Sequence, residues 1–101
     1  MINYSVAPVM YIHQGVTSMA NSFKGLQEQI TREMKRAPRP NEVFMFFNTD
    51  RTRVKMMVHD KDGWTIVYRK LDTKSFNVEK TSGYKRISHI NPAKILLDLH
   101  K

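Results

Sequence analysis

Two strand-like runs, Arg53 to His59 and Trp64 to Lys70, flank Asp60-Lys61-Asp62-Gly63, and the way the chain reverses there constrains its fold more than any other feature. Side chains on a strand alternate between faces, so a slip of one residue in pairing moves every one of them to the opposite face. Taking Lys61-Asp62-Gly63 as a three-residue loop, a type I turn with Gly63 left-handed in a bulge, sets Asp60 opposite Trp64. Val54, Met56 and Val58 then share an oily face with Trp64, Ile66 and Tyr68. The other face carries Arg53, Lys55, Met57 and His59 with Thr65, Val67 and Arg69. A two-residue loop on Asp62-Gly63 would mix Trp64, Ile66 and Tyr68 with Arg53, Lys55 and His59, which a half-buried sheet disfavours. The bulged register is therefore expected. It places Lys55 opposite or nearly opposite Arg69, a like-charge contact costing about a few tenths of a kcal/mol unless an anion or water intervenes.

The remaining pattern predicts one α+β domain over residues 1–101: an antiparallel meander packed against one long N-terminal helix, with a short C-terminal helix. Residues 1–8 read as a flexible lead-in, and Val9 to Ile12 as a short strand. The long helix is expected to begin near Thr17 or Ser18, either of which can cap it, and to end near Arg36. Its apolar stripe is Met19, Phe23, Leu26, Ile30 and Met34. Gly25 inside it marks a close approach to the sheet. Ala37-Pro38-Arg39-Pro40 stops the helix. Glu42 to Asn48, apolar on both parities, reads as a central strand. Phe76 to Ser88 suggests a further hairpin turning at Thr81-Ser82-Gly83. Asn91-Pro92 opens the last helix, with Ile95, Leu96 and Leu99 as its stripe.

Seventeen Lys and Arg against nine Asp and Glu give a formal charge of +8 and a pI near 10.0, a balance that favours polyanionic partners, nucleic acid first. With no cysteine, disulfides, thiolate catalysis and cysteine zinc sites are excluded, and a reducing, cytoplasmic setting is the default. No apolar run has the length of a signal peptide or a membrane span. The acids, Glu28, Glu33, Glu42, Asp50, Asp60, Asp62, Asp72, Glu79 and Asp98, lie mostly in turns or beside Lys and Arg, not in the converging set that Mg²⁺ chemistry needs. Asp60 and Asp62 beside a hairpin glycine read as turn formers. His13, His59, His89 and His100 lack zinc spacing. No phosphate loop, nucleophile elbow or dinucleotide fingerprint is present, so neither catalysis nor a cofactor or metal is expected.

Several short stretches carry a family resemblance. Gly15-Val16-Thr17-Ser18-Met19 and Phe23-Lys24-Gly25-Leu26, then Val43-Phe44-Met45-Phe46, Arg53-Val54-Lys55, Asp60-Lys61-Asp62-Gly63, Tyr68-Arg69-Lys70-Leu71, Phe76 and Asn91-Pro92-Ala93 resemble, in order, the small TnpB-type accessory proteins of insertion sequences of the sixty-six type. The chain departs from that pattern at Ser18, Ala20, Asn21, Ser22 and Lys24, where the family commonly has Asp, Arg, Lys, Gly and Asp. The resemblance implies participation in transposition beside a separate, larger transposase that carries the phosphoryl-transfer chemistry.

Arg51, Arg53, Lys55, Arg69, Lys70, Lys85 and Arg86 are the expected DNA contacts, gripping phosphates without reading sequence. Lys74 and Lys80 extend the patch, and Arg36 and Arg39 add to its rim. A solvated basic face explains the same residues. Met57 and Val67, apolar on that face, equally suit an adaptor docking on the transposase, together with the Phe-rich surface, or a homodimer.

Overall fold

Every residue of the strand Glu42–Phe47 is buried, a condition met only where neighbours flank both edges and cover lies on both faces. This strand is β2, the middle of a five-stranded sheet ordered β4-β3-β2-β1-β5. The computed structural model describes residues 9–88. In chain order these form β1 (Val9–His13), α1 (Phe23–Met34), β2, β3 (Arg53–His59), β4 (Trp64–Lys70) and β5 (Tyr84–Ser88). The expected flexible lead-in over residues 1–8 and the helix begun by Asn91-Pro92 lie outside the described residues.

The all-antiparallel sheet expected from the sequence is corrected to a mixed one, because β1 runs parallel to β2, Met10 beside Val43 and Ile12 beside Met45. Parallel neighbours need a crossover, and α1 supplies it. β5 returns antiparallel along the other edge of β1. β2, β3 and β4 form an antiparallel meander.

The helix is likewise shorter than its apolar spacing suggests, 12 residues in the middle of the fold. Thr17 does not begin it; its N–H donates to Phe47 O at 2.9 Å and ties the segment to the end of β2. Ser18 does cap, but it caps a turn: its Oγ accepts from Ala20 N at 3.2 Å. Lys35, left-handed at φ 60°, ends the helix. The buried stripe is Leu26 and Ile30, with Met34 partly covered, whereas Phe23 is 42% exposed. Gly25 makes room not for the sheet but for Asn21, whose Oδ1 would lie 3.0 Å from an added Cβ.

Two cores flank the sheet. Under α1 lie Leu26, Ile30, Phe44, Phe46 and Met57, with Tyr11, Trp64, Ile66 and Tyr84 at the border. On the other face lie Met10, Ile12, Val43, Met45, Phe47, Val54, Met56 and Val58, closed by Leu71 and Phe76 from the segment after β4. Each fully buried large apolar side chain contributes about 1.5–3 kcal/mol. No further hairpin forms at Phe76; its N–H donates to Arg51 O at 2.6 Å.

The β3–β4 register differs by one residue from the expected one. His59 pairs with Trp64, Met57 with Ile66, Lys55 with Tyr68 and Arg53 with Lys70. The loop is therefore the four residues Asp60 to Gly63, and Gly63 is not left-handed. Asp60 shapes it, its Oδ1 accepting from Asp62 N at 2.8 Å and Gly63 N at 2.9 Å. The mixture of aromatic and basic side chains is tolerated because the polar members find partners. His59 stacks on Trp64 with ring centroids 3.9 Å apart, and Lys55 Nζ donates to Asn21 O at 2.6 Å.

Candidate nucleic-acid interface

The observed register builds a basic corner on the helix side of the sheet. Met57 and Ile66 pack beneath α1, and, by strand alternation, Lys55 with Tyr68 and Arg53 with Lys70 follow outward on the same face. Lys55 Nζ stands 5.7 Å from the Tyr68 ring centroid while holding Asn21 O, just before the helix cap residue Ser22. Tyr68 is 50% exposed, Lys70 is exposed and Arg53 half-buried. Among the described residues neither Arg53 nor Lys70 makes an ion pair. Ser22 makes no side-chain cap bond and the first turn of α1 holds no acid, so the positive end of the helix faces this end of the sheet uncompensated.

The other expected DNA contacts are dispersed. Arg69 pairs with Val54 and points to the face away from α1. Lys85, paired with Ile12, points to that face too, but on β5 at the far edge, roughly 19 Å from β4 at ordinary strand spacing. Arg86, beside Tyr11, is on the helix side at the β5 edge. Lys55 and Arg69 thus lie on opposite faces. Arg36 is engaged by Glu42 at 2.6 and 3.0 Å, a contact that holds its pKa above the ordinary arginine value, and the same carboxylate accepts from Arg39 N.

Arg51 is not on the surface at all. It is 2% exposed, and its guanidinium donates to Gln14 O at 2.6 Å, Gly15 O and Glu79 O at 3.0 Å, and Asn48 O at 3.4 Å. It staples three loops, and burial without a carboxylate lowers its pKa. Of the two expected partner-binding residues, Met57 is fully buried in the helix-side core and Val67 is 38% exposed on β4. Phe44, Phe46 and Phe47, the Phe-rich surface of the adaptor reading, are also fully buried.

Sequence reasoning missed a polar cluster assembled from distant segments. Gln29 Nε2 donates to Thr17 Oγ1 at 3.0 Å, and Thr17 Oγ1 lies 3.3 Å from His13 Nδ1. His13 Nε2 lies 3.2 Å from Glu33 Oε1, which accepts the Tyr84 hydroxyl at 2.6 Å. One donor order satisfies the row if Thr17 donates to Nδ1 and Nε2–H faces Glu33. The Thr-His-Glu sequence resembles a nucleophile, base and orienter. Thr17 is only 3% exposed and already engaged, so the cluster serves packing between β1, α1 and β5. Burial holds the His13 pKa below 6.5, against the pull of the Glu33 carboxylate, and raises that of Tyr84, with the Glu33 bond adding to the rise.

Among the described residues no three His, Asp or Glu side chains come together as a metal site, and no helix is long and apolar enough to cross a membrane. No curated protein and no solved structure matched the chain. A family model described as IS66 Orf2 like protein matches residues 9–98, spanning every described element. The chain therefore belongs to the IS66 Orf2 like family, accessory proteins associated with insertion-sequence transposition.

Proposed function

We propose that the chain serves transposition as a non-catalytic accessory that holds DNA phosphates through Arg53 and Lys70, with Lys55 and Tyr68 behind them. The observation that carries this reading is the direct opposition of Arg53 and Lys70 with no ion-pairing carboxylate among the described residues. Like charges so placed cost folding energy that a bound phosphate converts into attraction. Contacts of this kind fix position without reading bases. The test is fluorescence anisotropy of labelled duplexes at several salt concentrations with the Arg53→Gln, Lys70→Gln double variant. Affinity falls for every sequence, and the slope of log K against log salt becomes shallower by about 2. An unchanged slope and affinity reject the reading.

A second reading, an adaptor docking on the transposase, draws on Val16, 58% exposed on the connection into α1, and Phe23, 42% exposed at the first residue of the helix. Pull-down with the transposase in high salt, comparing the parent with Val16→Ser, Phe23→Ser, separates the two. Retention lost only in the double variant favours the adaptor.

A further inference from the structure

β4 ends the sheet, and among the described residues nothing pairs with its outer edge. The strand is seven residues long, Trp64 to Lys70, without proline, and two of the four exposed large apolar side chains, Val67 and Tyr68, lie on it. Such an edge is a template for another strand. We propose that it pairs antiparallel with the β4 of a second copy, about a two-fold axis at Val67.

Self-complementarity identifies the occupant. A two-fold axis perpendicular to the sheet pairs each residue with one equally far beyond the axis, and same faces stay together. Val67 is the middle of β4, so the axis there uses the whole strand. It sets Val67 against Val67, Ile66 against Tyr68, Thr65 against Arg69 and Trp64 against Lys70. No cation meets a cation.

The Trp64–Lys70 pair has independent support. The Trp64 ring is stacked on His59 of β3 with a 3° interplanar angle, so its other face is turned toward the free edge. The ammonium of the incoming Lys70 arrives there, a cation–π contact. The joined sheet has ten strands, and both helix-bearing faces lie on one side. Two chains of +8 repel at long range, so raising salt tightens this contact while it weakens any contact to DNA.

The chain has no cysteine, so engineered thiols report the register directly. In the full-length protein, Val67→Cys is expected to form a covalent dimer on mild oxidation, because facing Cα atoms of an antiparallel pair lie about 4.5–5.5 Å apart. Thr65→Cys and Arg69→Cys each form no disulfide alone and cross-link when mixed. In sedimentation velocity, Val67→Lys and Val67→Glu each weaken self-association about tenfold, and their equimolar mixture recovers it. Circular dichroism of these variants matches the parent, since the side chain is exposed. A parent that stays monomeric at all concentrations, Val67→Lys associating like the parent, or Val67→Cys cross-linking no better than Thr65→Cys alone overturns the proposal.

Discussion

Replacing Arg51 by Met keeps an unbranched chain of similar reach in the same space but removes all of the guanidinium donors. Four carbonyls lose a bond, with unequal consequences. Gln14 O still accepts from Thr81 N at 3.1 Å, and Asn48 O from Arg51 N at 3.2 Å. Gly15 O and Glu79 O lose the bonds that Arg51 gave them. A buried carbonyl left without a donor costs about 1–3 kcal/mol, while relief of the buried charge offsets part of the loss. The expected net destabilisation is about 2–4 kcal/mol, a large share of the roughly 5–15 kcal/mol typical of a domain. Urea unfolding followed by circular dichroism measures it, as a lower midpoint with an unchanged m-value. Thermal unfolding should shift by roughly 8–25 °C. A loss below about 1 kcal/mol accompanied by weaker DNA binding would refute the reasoning, since the guanidinium would then be free to meet phosphate.

Other consequences are independent of Arg51. The folded His13 pKa is below the unfolded value, so the unfolded state binds the proton first on acidification. The contribution is therefore complete above about pH 6.5 and lost as pH falls through the folded value. Urea midpoints measured from pH 7.5 to 5 should decline more steeply for the parent than for His13→Gln; parallel curves contradict this. Tyr84→Phe removes the 2.6 Å bond to Glu33 and should cost about 1–2 kcal/mol in the same assay, with no loss counting against it. Gly25→Ala gains about 1 kcal/mol of helix propensity, but its Cβ would meet Oδ1, Cγ and Cβ of Asn21 at 3.0, 3.3 and 3.4 Å, so the Asn21 side chain must shift and stability should rise by only about 0.5 kcal/mol; a loss above about 1 kcal/mol contradicts that geometry.

The central strand was legible because β2 is apolar on both parities, and the Asp60-to-Gly63 turn because aspartate and glycine favour reversal. The hairpin register was not. Strand alternation alone sets lysine and histidine apart from a face that carries Trp64 and Tyr68, but His59 stacks on the indole and Lys55 reaches Asn21 O. Neither partner is visible in strand alternation. The parallel pairing of β1 with β2 escaped for a related reason, since periodicity reports which residues face a core and not which edge a strand joins. Arg51 read as a surface base because arginine in a turn usually is one; its burial depends on Gln14, Gly15 and Glu79, all far away in the chain. Of the seven expected DNA contacts, Arg53, Lys55 and Lys70 come together, because alternation within one hairpin keeps them on one face. The His13 cluster joins β1, α1 and β5, with Tyr84 and Glu33 51 residues apart, a separation no local pattern spans.

The most direct test of the account compares two charge reversals that alter net charge equally. Arg53→Glu with Lys70→Glu changes the basic corner, whereas Arg69→Glu with Lys85→Glu changes the face away from the helix. Duplex affinity at fixed salt should fall far more in the first variant, with the second close to the parent after the general loss of positive charge. Equal losses, or a larger loss in the second, would contradict the assignment of DNA contact to the Arg53–Lys70 corner.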